Sequence, residues 1–290
     1  MNPSITIESE MELLEAIKII HPSSSNRTLR HMLTQKRVTV DGKIEVKAKS
    51  KISVGSIIEI HPKPVVKSKI VEIIYEDQDL IVVNKPSGLL TVATNKMETN
   101  TLHSKVQQYL SEQKYDEWGF IVHRLDKETS GIVLFAKNQE SKMNLQNQFA
   151  ERQVQRKYTA IVEGQIHEPG EAEDWLIEDK NLRVWIVGKG TKGAKKAITQ
   201  WRPIKNTHYT TELELEINTG RRHQIRVQLA ERGFPVVGDQ AHGSKLQSDR
   251  LLLHATSLTF KHPDGNKMEL LSNPPPSFAN EHILLKDDMH

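Results

Sequence analysis

One short segment concentrates the side chains of this chain that could do chemistry. Residues 123–131 read His-Arg-Leu-Asp-Lys-Glu-Thr-Ser-Gly, and in this segment Arg124 and Lys127 flank the carboxyl group of Asp126. A carboxylate next to cations is favoured in its ionised form, which can act as a nucleophile or as a base. An apolar, strand-like run follows, and loops beside strands often hold catalytic groups over a rigid base. Taken alone, the pattern also fits an ordinary salt bridge or a turn cap.

The wider pattern favours catalysis, because residues 123–131 resemble the HRLDxxTSG signature of the RluA/RluD-type pseudouridine synthases at every fixed position. Five other segments resemble that family in the order in which the family shows them, and together they span about residues 70–275. They are residues 83–89 (NKPxGL), 156–160 (KxYxA), 219–227 (TGRxHQIRV), 235–239 (Pro-Val-Val-Gly-Asp) and 252–255 (Leu-Leu-His-Ala). Six ordered segments are far more specific than any one of them.

The resemblance implies a catalytic role for three side chains. Asp126 corresponds to the catalytic aspartate of the family, Arg226 to the arginine that pairs with it, and Tyr158 to the tyrosine that packs against the target base. The reaction breaks the bond between uracil and ribose, turns the base and rejoins it through a carbon. The aspartate could attack the sugar, attack the base ring or remove a sugar proton, and the sequence does not choose. None of these routes needs a metal or another cofactor, and we expect none.

Further residues of the same motifs are assigned to substrate binding. Arg124 corresponds to the arginine that helps to push the target nucleotide out of the stacked RNA, a step without which the glycosidic bond is inaccessible. His123 and Arg221 join the substrate-binding set, although we expect His123, like His223, to be mainly structural. The sequence departs from the family pattern at Gln228, where a histidine is usual; no catalytic position is affected.

The N-terminal residues form a second pattern, rich in basic side chains. Helical spacing over residues 10–20, a second helix over 27–35, an Asp-Gly hairpin signal at 41–42 and a strand ending at residue 60 resemble the S-four-like RNA-binding domain over about residues 5–61. We expect RNA contacts from four cations of this unit that could share one face of helix and turn, although a merely solvated face is the alternative. These cations are Arg27, Arg30, Lys36 and Arg37.

The order of elements defines the fold class and the domains. A linker is predicted at residues 63–69, since the stretch 61–68 contains two prolines. After it, hairpin strands and interspersed helices predict an α+β fold. We expect strands at 70–75, 80–84, 131–136, 157–163 and 210–217, and helices at 101–110, 139–154 and 221–232. The predicted domains are an RNA-binding domain (1–62) and a catalytic domain (70–290). The resemblance implies that the catalytic domain is built on a mixed, mainly antiparallel sheet with flanking helices.

Composition narrows the remaining possibilities. The 290 residues include no cysteine, which excludes disulfides, thiolate zinc sites and cysteine nucleophiles. The N-terminus lacks the features of a signal peptide, and no stretch is apolar enough to span a membrane. We therefore expect a cytoplasmic protein without a membrane partner. A monomer is a separate expectation, which the composition does not determine. The net charge of +3 is weak support for a nucleic-acid partner.

Several alternatives remain. The chain could be a non-catalytic RNA-binding protein of the same fold, a glycosidase with paired carboxylates, or a metal enzyme, although no pair among its 13 histidines has a convincing ligand spacing. Within the synthase interpretation, structured large-subunit ribosomal RNA is the expected substrate and transfer RNA the alternative. The polar stretch 171–196 is interpreted as an RNA-contacting loop, or otherwise as a mobile surface loop.

Overall fold

A computed structural model describes residues 3–22, 24, 26–34, 36–61, 70–93, 98–113 and 118–278. The predicted linker at 63–69 and the side chain of Arg27 lie outside the described part of the chain. The predicted α+β class is confirmed, because helices and hairpin strands alternate along the sequence without a repeated parallel unit. Among these residues, no helix combines the length and the apolar character that crossing a membrane requires.

The N-terminal residues form a small α+β unit with its own core. Helix α1 (Leu13–Ile20) and helix α2 (Asn26–Thr34) pack together beside a four-stranded antiparallel sheet. The predicted hairpin is present: Asp41 and Gly42 have φ of 49° and 78°, the left-handed conformation that a tight two-residue turn requires. The strands of this unit are β1 (Ser4–Thr6), β2 (Met11–Glu12), β3 (Val38–Val40), β4 (Lys43–Ile44), β5 (Lys51–Ile52) and β6 (Ile57–Ile60).

The described residues from 70 onward build an 11-stranded sheet with three helices. Its main path runs β13-β12-β14-β15-β11-β16-β10-β8-β7, with β17 added to β16 and β9 to β10. All its pairings are antiparallel except that of β10 with β16, so the sheet is mixed and mainly antiparallel, as predicted. The strands are β7 (Glu72–Glu76), β8 (Leu80–Lys85), β9 (Phe120–Ile121), β10 (Ser130–Ala136), β11 (Gln155–Glu163), β12 (Gly170–Glu178), β13 (Val184–Val187), β14 (Lys195–Asn206), β15 (Thr210–Ile217), β16 (Leu253–Lys261) and β17 (Lys267–Leu271). The helices are α3 (Leu102–Glu112), α4 (Gln139–Ala150) and α5 (Gln224–Glu231).

The parallel contact of β10 with β16 depends on Gly131. This residue has φ of 115°, and a Cβ atom built on it would lie 2.2 Å from the carbonyl oxygen of Ala255. Only glycine combines that backbone conformation with so close an approach. Gly131 therefore allows the strand that follows the Asp126 loop to lie directly against β16.

The stretch 171–196 was wrongly interpreted as a loop. It contains β12, β13 and the start of β14, which pair with one another. Helix α5 covers these strands through a small core formed by Leu176, Val184, Ala197 and Val227. Gln228, fully buried on the same helix, accepts a hydrogen bond from Thr199 Oγ1 and donates to Asp174 Oδ2. Gln228, at a position where the family usually has a histidine, thus connects helix α5 to the sheet through hydrogen bonds.

A buried ionic cluster joins the turn between β7 and β8 to the turn between β16 and β17. His262 contacts Asp77 Oδ2 through Nε2 at 2.8 Å and Asp264 Oδ1 through Nδ1 at 2.9 Å. Burial opposes the charge of His262, but the two carboxylates raise its pKa to about 9. Asp77, Asp79 and His262 lie close enough to share an ion. However, an imidazolium that donates from both nitrogens has no lone pair for a metal.

This cluster predicts a specific pH dependence of folding stability. Because the folded-state pKa of His262 is raised, its contribution is complete below about pH 6.5 and is lost as the pH rises through about 9. Despite its burial, the pKa of Asp77 is lowered to about 2, so its contribution is complete above about pH 4 and is lost as the pH falls through about 2. Both contributions are therefore complete between about pH 4 and 6.5.

His262→Gln is the corresponding test, by chemical denaturation at pH 6 and at pH 9.5. The wild-type protein should lose on the order of 3 kcal/mol more than the variant between these pH values, since the variant lacks the titrating ring. His208→Gln, at an exposed position, should behave like the wild type. Equal pH dependence in the wild type and His262→Gln would show that the cluster does not titrate as described.

Candidate active site

Residues 83–91 hold the loop that carries Asp126 in place. Lys85, fully buried at the end of β8, donates from Nζ to the carbonyl oxygens of Pro86, Leu89 and Lys127 at 2.7–3.0 Å. Burial lowers the pKa of Lys85 to about 7, against the opposing effect of Glu128 and Asp126. These contacts explain why an NKPxGL segment accompanies the HRLD segment, because the lysine of the first segment fixes the position of the second.

Two further side chains fix the same loop. Thr91 Oγ1 donates to the carbonyl oxygen of Leu125 at 2.8 Å and accepts from its N–H at 3.2 Å. Ser87 Oγ donates to the carbonyl oxygen of Glu128 at 2.6 Å. Because backbone groups on both sides of Asp126 are bonded, the position of its carboxyl group is determined by the β8 end and the turn that follows it.

An open pocket of about 940 Å³ brings the three predicted catalytic residues together. Asp126, Tyr158 and Arg226 all line it, although they come from a loop, from β11 and from α5. The pocket is strongly basic: its acidic lining residues are Asp126 and Glu178, whereas six arginines surround them. These are Arg124, Arg152, Arg156, Arg221, Arg222 and Arg226. Such a pocket attracts a polyanion.

The Asp126 carboxylate accepts a hydrogen bond from the start of helix α5. The backbone N–H of His223 donates to Asp126 Oδ2 at 3.2 Å. His223 is the N-cap of α5 and has φ of 50° and ψ of 18°, a left-handed conformation that is uncommon outside glycine. The His223 ring packs edge-on against His242, and burial lowers the pKa of His223 to about 4, so the ring is neutral near pH 7. His223 therefore contacts the catalytic candidate through its backbone.

The ion pair of Arg226 differs from the prediction. Its guanidinium binds Asp239 bidentately, with Nε–Oδ2 at 2.6 Å and Nη2–Oδ1 at 2.7 Å, and both side chains are buried. Burial opposes the charge, but Asp239, followed by Asp126 and Glu128, raises the pKa of Arg226. Within the described residues, Asp126 and Arg226 form no direct ion pair. Asp239 already occupies one edge of the Arg226 guanidinium. Arg226 therefore interacts with Asp126 by electrostatic attraction and without a direct ion pair.

Tyr158 presents a buried ring to the pocket from the middle of the sheet. It lies on β11 between β15 and β16, opposite Leu215 and Ala255, and is 8% exposed. Burial raises the pKa of Tyr158 to about 12, with Arg156 opposing and Asp126 adding to the shift. The hydroxyl is therefore protonated near pH 7. This arrangement suits a stacking surface for a flat base better than a group that removes protons.

The predicted substrate-binding residues of the motifs have different environments. Arg124 is exposed at the pocket, as extrusion of a nucleotide would require. Arg221 also lines the pocket, while its Nε donates to the carbonyl oxygen of Lys196 at 3.2 Å. His123 Nε2 accepts the N–H of Leu134 at 2.9 Å, and its ring stacks on Phe149. Burial and Arg156 lower the pKa of His123 to about 3. A neutral, bonded ring of this kind agrees with a structural role.

Of the four predicted RNA-binding cations of the N-terminal unit, the three whose side chains the structure describes differ in exposure. Arg30 and Lys36 are exposed. Arg37 is buried, and its Nε donates to the carbonyl oxygen of His61 at 2.8 Å. The predicted RNA contact of Arg37 is therefore wrong for this conformation, because the guanidinium is used inside the unit. The RNA contacts of Arg30 and Lys36 stay predictions.

Two residues of the pocket region received no role from the sequence. Asp239, the partner of Arg226, belongs to the 235–239 segment, and Arg156 belongs to the 156–160 segment, so both stood within motifs that resemble the family. Motif membership was thus the available signal. Motif membership does not say which side chains meet, because the motifs are separate in sequence and come together only in the folded chain.

Comparisons of sequence and fold identify proteins that this chain resembles. A sequence profile of the family described as RNA pseudouridylate synthase matches residues 79–231. The uncharacterised RNA pseudouridine synthase YlyB of Bacillus subtilis is 34% identical over 279 residues, which cover 91% of each chain. Ribosomal large subunit pseudouridine synthase D of Yersinia pestis is 29% identical over 277 residues, which cover 88% of this chain and 85% of that protein. The solved structure of human RNA pseudouridylate synthase domain containing 4 aligns with a TM-score of 0.57 at 25% identity, over 71% of this chain and 90% of that one.

Proposed function

The chain belongs to the RNA pseudouridylate synthase family, in its RluA/RluD branch, and we propose that its substrate is a specific uridine of large-subunit ribosomal RNA. The observation that carries the proposal is the pocket itself. A fixed carboxylate, Asp126, stands beside a buried aromatic ring and a buried guanidinium, in an opening lined by six arginines. That combination fits one extruded nucleotide of a polyanionic strand.

The reaction is an isomerisation that the residues of the pocket can support without an external reagent. The C1′–N1 bond of uridine breaks, the uracil turns, and C1′ bonds to C5. The proton on C5 leaves, and N1 gains a proton, so no atom is gained or lost. Asp126 supplies the carboxylate, for attack on the sugar, for attack on the ring or for removal of a sugar proton. Tyr158 holds the plane of the base while it turns.

Arg226 and His223 stabilise this carboxylate in different ways. The Arg226 guanidinium, held by Asp239, places a positive charge near Asp126, and the His223 N–H bonds one carboxylate oxygen directly. Arg124, exposed beside them, is available to fill the space that the extruded nucleotide leaves. The roles of Arg226 and His223 follow from contacts that exist before the substrate arrives.

Two observations favour ribosomal RNA over transfer RNA. Relatives that align over most of the chain include proteins named ribosomal large subunit pseudouridine synthase, C and D. The N-terminal unit has a core of its own, as a separate RNA-binding domain of S-four type would, and such a module suits a large structured target. The boundaries proposed for this domain are residues 1–62.

Position-resolved pseudouridine detection in cells with and without the protein tests the substrate. We expect at least one site in large-subunit ribosomal RNA to lose its pseudouridine when the protein is absent. Re-expression of the wild-type chain should restore it, and re-expression of Asp126→Asn should not. Loss confined to transfer RNA would replace the ribosomal proposal, and unchanged maps in every RNA class would contradict both.

The N-terminal unit makes a separate prediction about binding. Replacing Arg30 and Lys36 together by glutamine should weaken RNA binding and reduce the slope of log K against log salt by about 2, because each phosphate contact contributes about 1. The matched control replaces two exposed lysines of the catalytic region, Lys245 and Lys267, by glutamine. Salt titrations by fluorescence anisotropy measure all three proteins. Equal slopes in both double variants would argue against an RNA surface at Arg30 and Lys36.

A further inference from the structure

One charged group in the catalytic pocket has no acidic partner among the residues that the structure describes. Arg156, on β11, lines the pocket, and its Nε is buried without a hydrogen-bond partner. Within the described ranges, its guanidinium has no ion pair either. Arg156 is only partly exposed, and arginines that are largely removed from water are normally paired. Arg226, in the same pocket, is paired with Asp239. The unpaired state of Arg156 therefore needs a reason other than folding.

The guanidinium of Arg156 is nevertheless held in place. On one side its Cζ lies 5.7 Å from the centroid of the Phe149 ring. On the other side is Gly220, where a Cβ atom would stand 2.7 Å from Arg156 Nη1. A ring and a bare backbone thus fix the group without neutralising it. Binding sites are commonly prepared in this way, with the charged group ordered before its ligand arrives.

The position of Arg156 on the strand indicates which group would neutralise it. Tyr158 is two residues further along β11, and residues two apart on a strand share a face at a separation of roughly 6.6 Å. If the target uracil stacks on the Tyr158 ring, the sugar-phosphate backbone of the same nucleotide comes near Arg156. Uracil and ribose are neutral, so the anionic group available in RNA is the phosphodiester. Guanidinium and phosphate match each other in geometry and charge.

We propose that Arg156 binds the phosphodiester group of the extruded nucleotide and thereby sets how far the uridine enters the pocket. The proposal rests on the function proposed above. Arg156 contacts the substrate but takes no part in bond making. Burial lowers the pKa of Arg156, although a guanidinium remains charged near neutral pH, so the site keeps its charge for the incoming strand.

The test compares Arg156→Met, Arg156→Lys and the control Arg202→Met, an exposed arginine that does not line the pocket. The RNA probe is a transcript of large-subunit ribosomal RNA, and its binding is measured across a salt series. Arg156→Met should weaken binding about tenfold to a hundredfold and reduce the salt slope by about 1, because one phosphate contact is lost. Arg156→Lys should recover the salt slope, since it keeps the charge, and Arg202→Met should change both quantities little.

A second measurement separates this role from a packing role. Without RNA, Arg156→Met should raise the Tm or leave it unchanged, because methionine fills similar space and removes an unpaired charge. A lower Tm together with an unchanged salt slope would assign Arg156 to packing and overturn the proposal.

Isomerisation is measured separately on the same RNA, so the two proposals can fail independently. If the wild type forms pseudouridine while Arg156→Met keeps the wild-type affinity and salt slope, the phosphate site is wrong. If the wild type forms no pseudouridine but its binding depends on Arg156 as described, the phosphate site stands and the proposed function fails.

Discussion

Asp126→Asn should lower the rate of pseudouridine formation by about 10⁴-fold or more while RNA binding stays within a few-fold of the wild type. The substitution keeps the shape of the side chain, and an amide oxygen can still accept the His223 N–H. It removes the negative charge that each possible route requires. Single-turnover rates on a ribosomal transcript, together with Kd from anisotropy, measure the two effects separately.

The control for this prediction is Glu128→Gln, two residues away in the same loop. Glu128 is partly exposed, and its side chain lies 4.0 Å from Lys127 Nζ in a weak surface pair. Its neutralisation should change the rate by no more than a few-fold. Comparable losses in both variants would indicate that the total charge of the loop matters, and wild-type activity in Asp126→Asn would exclude the catalytic role.

Asp239→Asn should have the second largest effect, on stability and on activity together. Asp239 and Arg226 are 1% and 6% exposed, and removing one partner of a buried pair leaves the other charge uncompensated. The expected loss is about 3–5 kcal/mol of folding free energy. In the fraction that remains folded, the rate should fall by roughly 10²-fold, because the guanidinium near Asp126 is no longer fixed.

An exposed ion pair provides the matched control for Asp239→Asn. Arg202 and Glu214 pair at 3.0 Å on β14 and β15, with side chains 60% and 37% exposed. Glu214→Gln should cost less than about 1 kcal/mol and leave the rate unchanged. Denaturant unfolding and single-turnover kinetics are the measurements. If Asp239→Asn behaved like Glu214→Gln, the buried pair would have no part in positioning the site.

Local sequence patterns predicted most elements of the fold. Alternating polar and apolar residues predicted a strand at 210–217, and the observed strand has the same bounds. The pattern is clear because one face of this strand is buried and the other is partly exposed to solvent. The helix predicted at 221–232 is shorter, Gln224–Glu231, since His223 adopts a left-handed conformation and interrupts the start. Stretch 171–196 was misassigned because its many charged residues obscure the strand pattern, although β12 buries Ala172 and Leu176.

The contacts of charged groups could not be predicted from the sequence. Arg226 and Asp126 were expected to pair, but the segment 235–239 brings Asp239 closer to the guanidinium. Arg37 looked like a surface cation, whereas the path of the chain places the His61 carbonyl oxygen beside it. Charge and spacing identify groups that can interact. Which groups do so depends on loops that meet only in the folded chain.

Release of tritium from RNA labelled at C5 of uridine is the most direct test of the proposed chemistry, since C5 loses its hydrogen when it bonds to C1′. Purified wild-type protein should release tritium from a large-subunit ribosomal transcript until the modified site is consumed, and Asp126→Asn should release none above background. Release by Asp126→Asn at the wild-type rate, or no release by the wild-type protein from any structured RNA, would contradict a uridine isomerase that depends on this carboxylate.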